Sequence, residues 1–164
     1  MKTKTYFLII SLMIISSLSF ISCDKNENDT TKPVINLIEP EDGDSLRIGG
    51  DVHFDMELSD DVMLGSYKVD IHNNFDGHEH TKASSDETTP FVFVRSWDVS
   101  GKKNADIHHH EIVIPENATP GDYHLMVYCT DAAGNESNVA VNIVLSHDAK
   151  EHDHEDEEEH DHED

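Results

Sequence analysis

The segment 52–58, Val-His-Phe-Asp-Met-Glu-Leu, alternates without a break: apolar side chains stand at 52, 54, 56 and 58, with polar ones between them. Period two belongs to an extended strand with one face on a core and the other in water. No stretch after residue 32 carries the apolar spacing of a long helix. Similar β-rich or alternating runs occur at 34–38, 67–71, 91–97, 107–114, 123–129 and 139–145, a composition that favours pleated, half-buried surfaces. Turn chemistry separates them. Pro40-Glu41-Asp42-Gly43-Asp44 follows the first run, residues 115–121 join the fifth to the sixth, and Asp131-Ala132-Ala133-Gly134-Asn135 precedes the last, with Gly134 suited to a positive φ. About seven short strands in a region of roughly 114 residues predict an all-β, two-sheet, immunoglobulin-like sandwich.

The start of the chain sets a different constraint. Lys2 and Lys4 precede a nearly uninterrupted apolar and hydroxyl segment at 6–20, and Phe20-Ile21-Ser22-Cys23 places a small residue before a cysteine. This pattern resembles the lipobox of secreted bacterial lipoproteins, in which cleavage precedes a cysteine that receives a diacylglycerol; Cys23 is the residue that matches. The apolar stretch is shorter than a membrane span requires, and polar Asp24-Lys25-Asn26-Glu27 follows at once. The expected organisation is a signal peptide at 1–22, a lipidated and disordered linker at 23–32, the sandwich at 33–146 and a disordered tail at 147–164. The acidic residues after Cys23 resemble signals that carry some lipoproteins to the outer face of the outer membrane.

Loss of residues 1–22 removes two lysines and no acids, moving the formal charge from −24 to −26. Such a charge repels nucleic acid and anionic membrane surfaces and favours cations, so membrane contact falls to the acyl chains. Cys129 is the other of two cysteines. With Cys23 lipidated it has no intramolecular disulfide partner, and its alternation with Leu125 and Val127 assigns it to the core.

Thirteen histidines are too many for incidental surface decoration, and eight of them lie before the tail. Alternate residues of an extended segment share a face, so His78 and His80 can address one ion, as can His108 and His110. In an immunoglobulin-like sandwich the third and sixth strands are antiparallel neighbours, which predicts that His72 meets His124 on an outward face. The loop bearing His78 and His80 leaves the same edge, so His72, His78, His80 and His124 form the principal candidate set. His108 and His110 form a second set on the other sheet, and their alternation must turn at least one histidine of 108–110 toward the core or an edge. His53 stands apart. Imidazole nitrogen suits zinc first, with copper or nickel as alternatives, and Asp76 or Glu79 can orient a ring from behind. Asp131 and Asn135 are calcium-type ligands, but hairpin turns use the same residue types for backbone hydrogen bonds, and that role leads.

Three further segments carry a family resemblance: His108-His109-His110-Glu111-Ile112-Val113-Ile114-Pro115, Pro120-Gly121-Asp122-Tyr123-His124-Leu125 and Thr130-Asp131-Ala132-Ala133-Gly134-Asn135. Together they resemble a family of uncharacterised immunoglobulin-like lipoproteins of Gram-negative bacteria. Gly121-Asp122-Tyr123 also looks like the tyrosine corner of such sandwiches. The resemblance implies fold and location and no enzymatic activity.

The tail holds His147, His152, His154, His160 and His162 among eleven acids. It cannot build a core, and its paired imidazoles and carboxylates suit weak, multiple binding of divalent metal. The sequence thus leads to a lipid-anchored extracytoplasmic module that binds a divalent transition metal for capture, buffering or delivery. A receiving outer-membrane transporter or surface protein is the expected partner. The alternative is an adhesion or glycan- and protein-recognition module, which would use exposed aromatics such as Trp97, Tyr67 and Phe75. No nucleophile with a paired base stands at a readable spacing, so no enzyme is expected.

Overall fold

A computed structural model describes residues 29–74 and 88–150. Eight strands run in chain order: β1 (Val34–Glu39), β2 (Asp44–Arg47), β3 (Asp51–Ser59), β4 (Leu64–Asn73), β5 (Phe93–Asp98), β6 (Asn104–Val113), β7 (Gly121–Asp131) and β8 (Glu136–Ser146). They form a three-stranded sheet in the order β1-β3-β6 and a five-stranded sheet in the order β2-β8-β7-β4-β5. The two sheets make the predicted sandwich. Among the described residues no helix is long and apolar enough to cross a membrane.

The strand absent from the sequence reading is β2. Its four residues contribute one buried apolar side chain, Leu46, and they pair in parallel with β8, some hundred residues away, at Asp44↔Ile143 through Arg47↔Ser146. Local alternation is too short to reveal such a strand. The chain changes sheets between β1 and β2, where the Asp42 carboxylate accepts from both the backbone N–H and the side chain of Asn142 (2.7 and 2.9 Å).

The period-two residues of β3 behave as their spacing requires: Val52, Phe54, Met56 and Leu58 are buried, and they share one core with Val69, Ile71, Leu125, Val127 and Ile143 of the other sheet. Cys129 lies free and buried in that core, where desolvation, with Asp60 and Asp131 adding to it, pushes its thiol up to about 11. Tyr123, fully buried at the start of β7, donates its hydroxyl to the Thr119 carbonyl (2.8 Å) and accepts the Phe91 N–H (3.1 Å). Two loop segments are thereby tied to the core by one side chain. Burial raises the Tyr123 phenol above its ordinary value.

Geometry calls for glycine at Gly134 and at Gly65. Gly134 adopts φ +97° in the β7–β8 hairpin, the positive φ that the turn demands. Gly65 lies at the register shift between Leu64 and Ser66, where a Cβ would come within 2.8 Å of the carbonyl oxygens of Thr130 and Asp131. Gly65→Ala is expected to destabilise the domain by about 1–3 kcal/mol through overpacking against backbone, read as a lower urea midpoint at unchanged m-value.

The chain is held to the sandwich before residue 33. Asn135 Nδ2 donates to the Asp29 carbonyl (3.1 Å), Thr31 Oγ1 donates to Asp61 Oδ2 (3.2 Å) and Ser137 Oγ donates to the Pro33 carbonyl (2.5 Å). Docking of the N-terminal segment thus begins at Asp29, inside the expected linker. The leader, Cys23 and the tail from 151 onward lie outside the described residues.

Candidate metal centre

Strands β3 and β6 pair as Phe54↔His109, Asp55↔His108 and Met56↔Ile107, but the next pair is Val52↔Ile112. Two residues of β6, His110 and Glu111, therefore oppose the single residue His53, which makes a β-bulge. Its consequence is a change of phase. Ala105, Ile107 and His109 turn inward before the bulge, and Ile112 and Ile114 turn inward after it. His110 keeps the outward phase it shares with His108, and the bulge turns Ile112 inward and frees Glu111 toward the sheet edge, as bulges re-aim side chains near functional sites.

Glu111 reaches the edge of the other sheet, where its Oε2 meets Arg95 Nη2 at 2.7 Å and accepts the Trp97 indole N–H at 3.2 Å. His110 turns to the outer face of the three-stranded sheet, beside His53 and His108. Ring centroids are 4.8 Å apart for His53–His108, 5.0 Å for His53–His110 and 5.7 Å for His108–His110. One nitrogen of each ring lies within 4.8 Å of the others, so the three imidazoles could hold a metal ion. Asp51 Oδ2 lies 2.8 Å from His110 Nδ1. A carboxylate behind one ring nitrogen is the usual device for fixing the orientation of a metal-binding imidazole. Nitrogens bound to a tetrahedral zinc at about 2.1 Å stand roughly 3.4 Å apart, and χ rotations of exposed and half-buried rings supply that adjustment. The set offers three protein ligands and leaves a coordination position open.

His109 has a different part. Its ring stacks on Phe54 (5.0 Å, 14°) and on Trp97 (5.0 Å, 25°), and Trp97 stacks on Tyr67 (4.8 Å, 9°). This column joins the sheets and fixes the β6 backbone between the two outward histidines. Desolvation holds the His109 imidazole below its ordinary pKa, against a raising influence from Glu111. Its Nδ1 accepts the Glu111 N–H (3.4 Å), while its Nε2 is buried without a hydrogen-bond partner among the described residues. His109→Phe keeps the stack, removes that orphaned atom and leaves the long, exposed Glu111 N–H bond to water, so the variant is expected to match or exceed the wild type by up to about 1 kcal/mol in urea unfolding.

The other sequence candidates divide. His72 and His124 are direct cross-strand partners, with rings 5.7 Å apart and edge to face, as the strand adjacency predicted. His72 Nδ1 is 2.9 Å from Asp70 Oδ1. Among the described residues no third ligand joins this pair. His78, His80, Asp76, Glu79 and Phe75, with the tail histidines His152, His154, His160 and His162, lie outside the described residues, and His147 is exposed just after β8. The sequence reading set His53 aside. Its outward phase in the alternation of 52–58, combined with the neighbouring of the second and fifth expected strands, was the signal that could have placed it beside His108 and His110.

The sequence pattern of the family described as "Domain of unknown function (DUF4625)" matches residues 21–146. The chain belongs to this family. As a DUF4625 protein it carries the matched region through every described strand, including the bulge and all three histidines of the centre. No curated protein matches it. Among solved structures, it is similar to a mutant of the SrpA adhesin from Streptococcus sanguinis, with 20% identity and a TM-score of 0.40, over 72% of this chain and 59% of that one. The DUF4625 chain thus spans less than two thirds of the adhesin chain.

Proposed function

We propose that this protein is a lipid-anchored, extracytoplasmic module that binds zinc through His53, His108 and His110 and serves in its capture, buffering or delivery. The observation that carries the reading is the convergence of three imidazole nitrogens within 4.8 Å on one outward face, with Asp51 behind His110. Nitrogen donors select zinc, copper or nickel over calcium and magnesium. The surrounding charge favours any cation: Asp55 lies opposite His108, and the chain carries a formal charge of −24. The acid- and histidine-rich tail acts as a weak collector that raises the local metal concentration near the centre. Cys23 bears the anchor, and a transporter or surface protein receives the metal.

A recognition surface built on aromatics fits less well. Trp97 and Tyr67 are engaged in the stack between the sheets, and Tyr67 is 3% exposed.

The test is zinc calorimetry on the chain from residue 23 with Cys23→Ser, His147→Asn, His152→Asn, His154→Asn, His160→Asn and His162→Asn, which leaves the tail acids and removes its imidazoles. One tight zinc per chain is the expected result. A loss of all tight binding with the tail imidazoles would confine metal chemistry to the tail and end the proposal for the domain.

A further inference from the structure

The opposite end of β3 from the histidines, about 20 Å away at 3.3 Å per residue, holds a second cluster with different donors. Asp29 lies ahead of β1, Asp60 directly follows β3 and Asp131 ends β7; one oxygen of each lies within 4.8 Å of the others. Most of their oxygens have donors. Asp29 Oδ1 accepts the Thr31 N–H (3.0 Å), Asp60 Oδ1 accepts the Val62 and Met63 N–H groups (2.9 and 2.6 Å), and Asp131 Oδ1 accepts those of Gly134 and Asn135 (2.6 and 2.8 Å). Asp131 Oδ2 accepts Asn135 Nδ2 (2.7 Å). Asp60 Oδ2 differs: it is shielded from solvent and has no hydrogen-bond partner among the described residues. A carboxylate oxygen cut off from both water and donors is costly unless a cation meets it. Among the described residues no lysine or arginine forms an ion pair with any of the three acids.

We propose that Asp29, Asp60 and Asp131 bind a calcium ion that fastens the segment following the anchor to the end of the sandwich. An all-oxygen donor set selects a hard cation, and oxygens up to 4.8 Å apart fit opposite sides of an ion with bonds of about 2.4 Å. Magnesium, with bonds near 2.1 Å in a strict octahedron, needs a tighter set. The three ligands come from three separate parts of the chain, so the ion closes a junction that the hydrogen bonds of Asn135 and Thr31 only begin. Bound calcium orients the sandwich, and with it the histidine face, relative to the linker. The site is independent of the zinc reading, since it shares no ligand with it.

The experiment follows the thermal midpoint of the chain from residue 23, carrying Cys23→Ser, in calcium chloride against EGTA, together with cleavage after Glu27, two residues before Asp29, by a glutamate-specific endoproteinase. Calcium is expected to raise the midpoint by about 5 °C or more and to slow cleavage at least about tenfold, and both Asp60→Asn and Asp29→Asn should abolish the two responses. Asp60→Asn keeps an oxygen for the Val62 and Met63 N–H groups, and Asp29→Asn lies outside the strands, so it decides the outcome if Asp60→Asn folds poorly. The proposal is overturned if the parent chain shows no calcium response, or if Asp29→Asn retains the full response, which would place the ion elsewhere, as in the acidic tail.

Discussion

His108→Ala is expected to lower the zinc affinity of the tail-imidazole-free chain at least about a hundredfold, since removing even an outer partner of a metal-binding histidine commonly costs 10–100-fold. His53→Ala should match it, because the two rings lie 4.8 Å apart and supply equivalent ligands from adjacent strands. Asp51→Asn should fall between, at roughly tenfold, as it leaves the His110 ring in place and weakens only the contact behind it. His108 and Asp51 are exposed, so their substitution should leave the urea midpoint without zinc almost unchanged. His72→Ala with His124→Ala supplies the contrast. Those residues form a matched cross-strand pair on the other sheet, and their removal should leave zinc binding intact. The opposite pattern, loss in the His72/His124 variant and retention in His108→Ala, would transfer the site to the five-stranded sheet and its adjoining loop.

The largest stability effect is expected at Tyr123. Tyr123→Ala should cost about 3–5 kcal/mol, the range for deleting a large buried ring, and in a domain of this size that leaves little of the ordinary stability margin. Tyr123→Phe separates packing from hydrogen bonding. It keeps the ring but strands the Phe91 N–H and frees the Thr119 carbonyl, at a cost of about 1–3 kcal/mol. Urea unfolding of the two variants, at matched protein concentration and with zinc absent, reads both numbers. A Tyr123→Phe variant as stable as the parent would show that the loops before β5 and β7 hold themselves without the hydroxyl.

The two effects have different origins in the chain. Tyr123 was legible because its signal is local: Gly121-Asp122-Tyr123 opens an alternating strand that turns the ring inward, and it resembles the tyrosine corner, whose hydroxyl bonds back to nearby backbone. The pairing of His72 with His124 was legible for a related reason, since once two strands are neighbours and antiparallel, the start of one faces the end of the other. The histidine centre was only half visible. His108 and His110 could be grouped by spacing, but unbroken alternation gives no reason for a separate phase at Glu111 and Ile112, and the bulge that creates it exists only when β6 is laid against β3. His53 was passed over because its partners are more than fifty residues away.

By itself, then, the sequence determined the class of structure and the face of nearly every strand residue, because period-two burial is a property of the chain's own pleat. It also determined the chemistry on offer, imidazoles on a strongly acidic background. Tertiary structure decided which donors meet. It set β2 against β8, chose the bulge that lays His110 and Glu111 opposite His53, and brought Asp29, Asp60 and Asp131 together from three remote segments. Those outcomes depend on register between strands and on loop closure, which are settled by packing across the whole sandwich and leave no mark in any local window of residues.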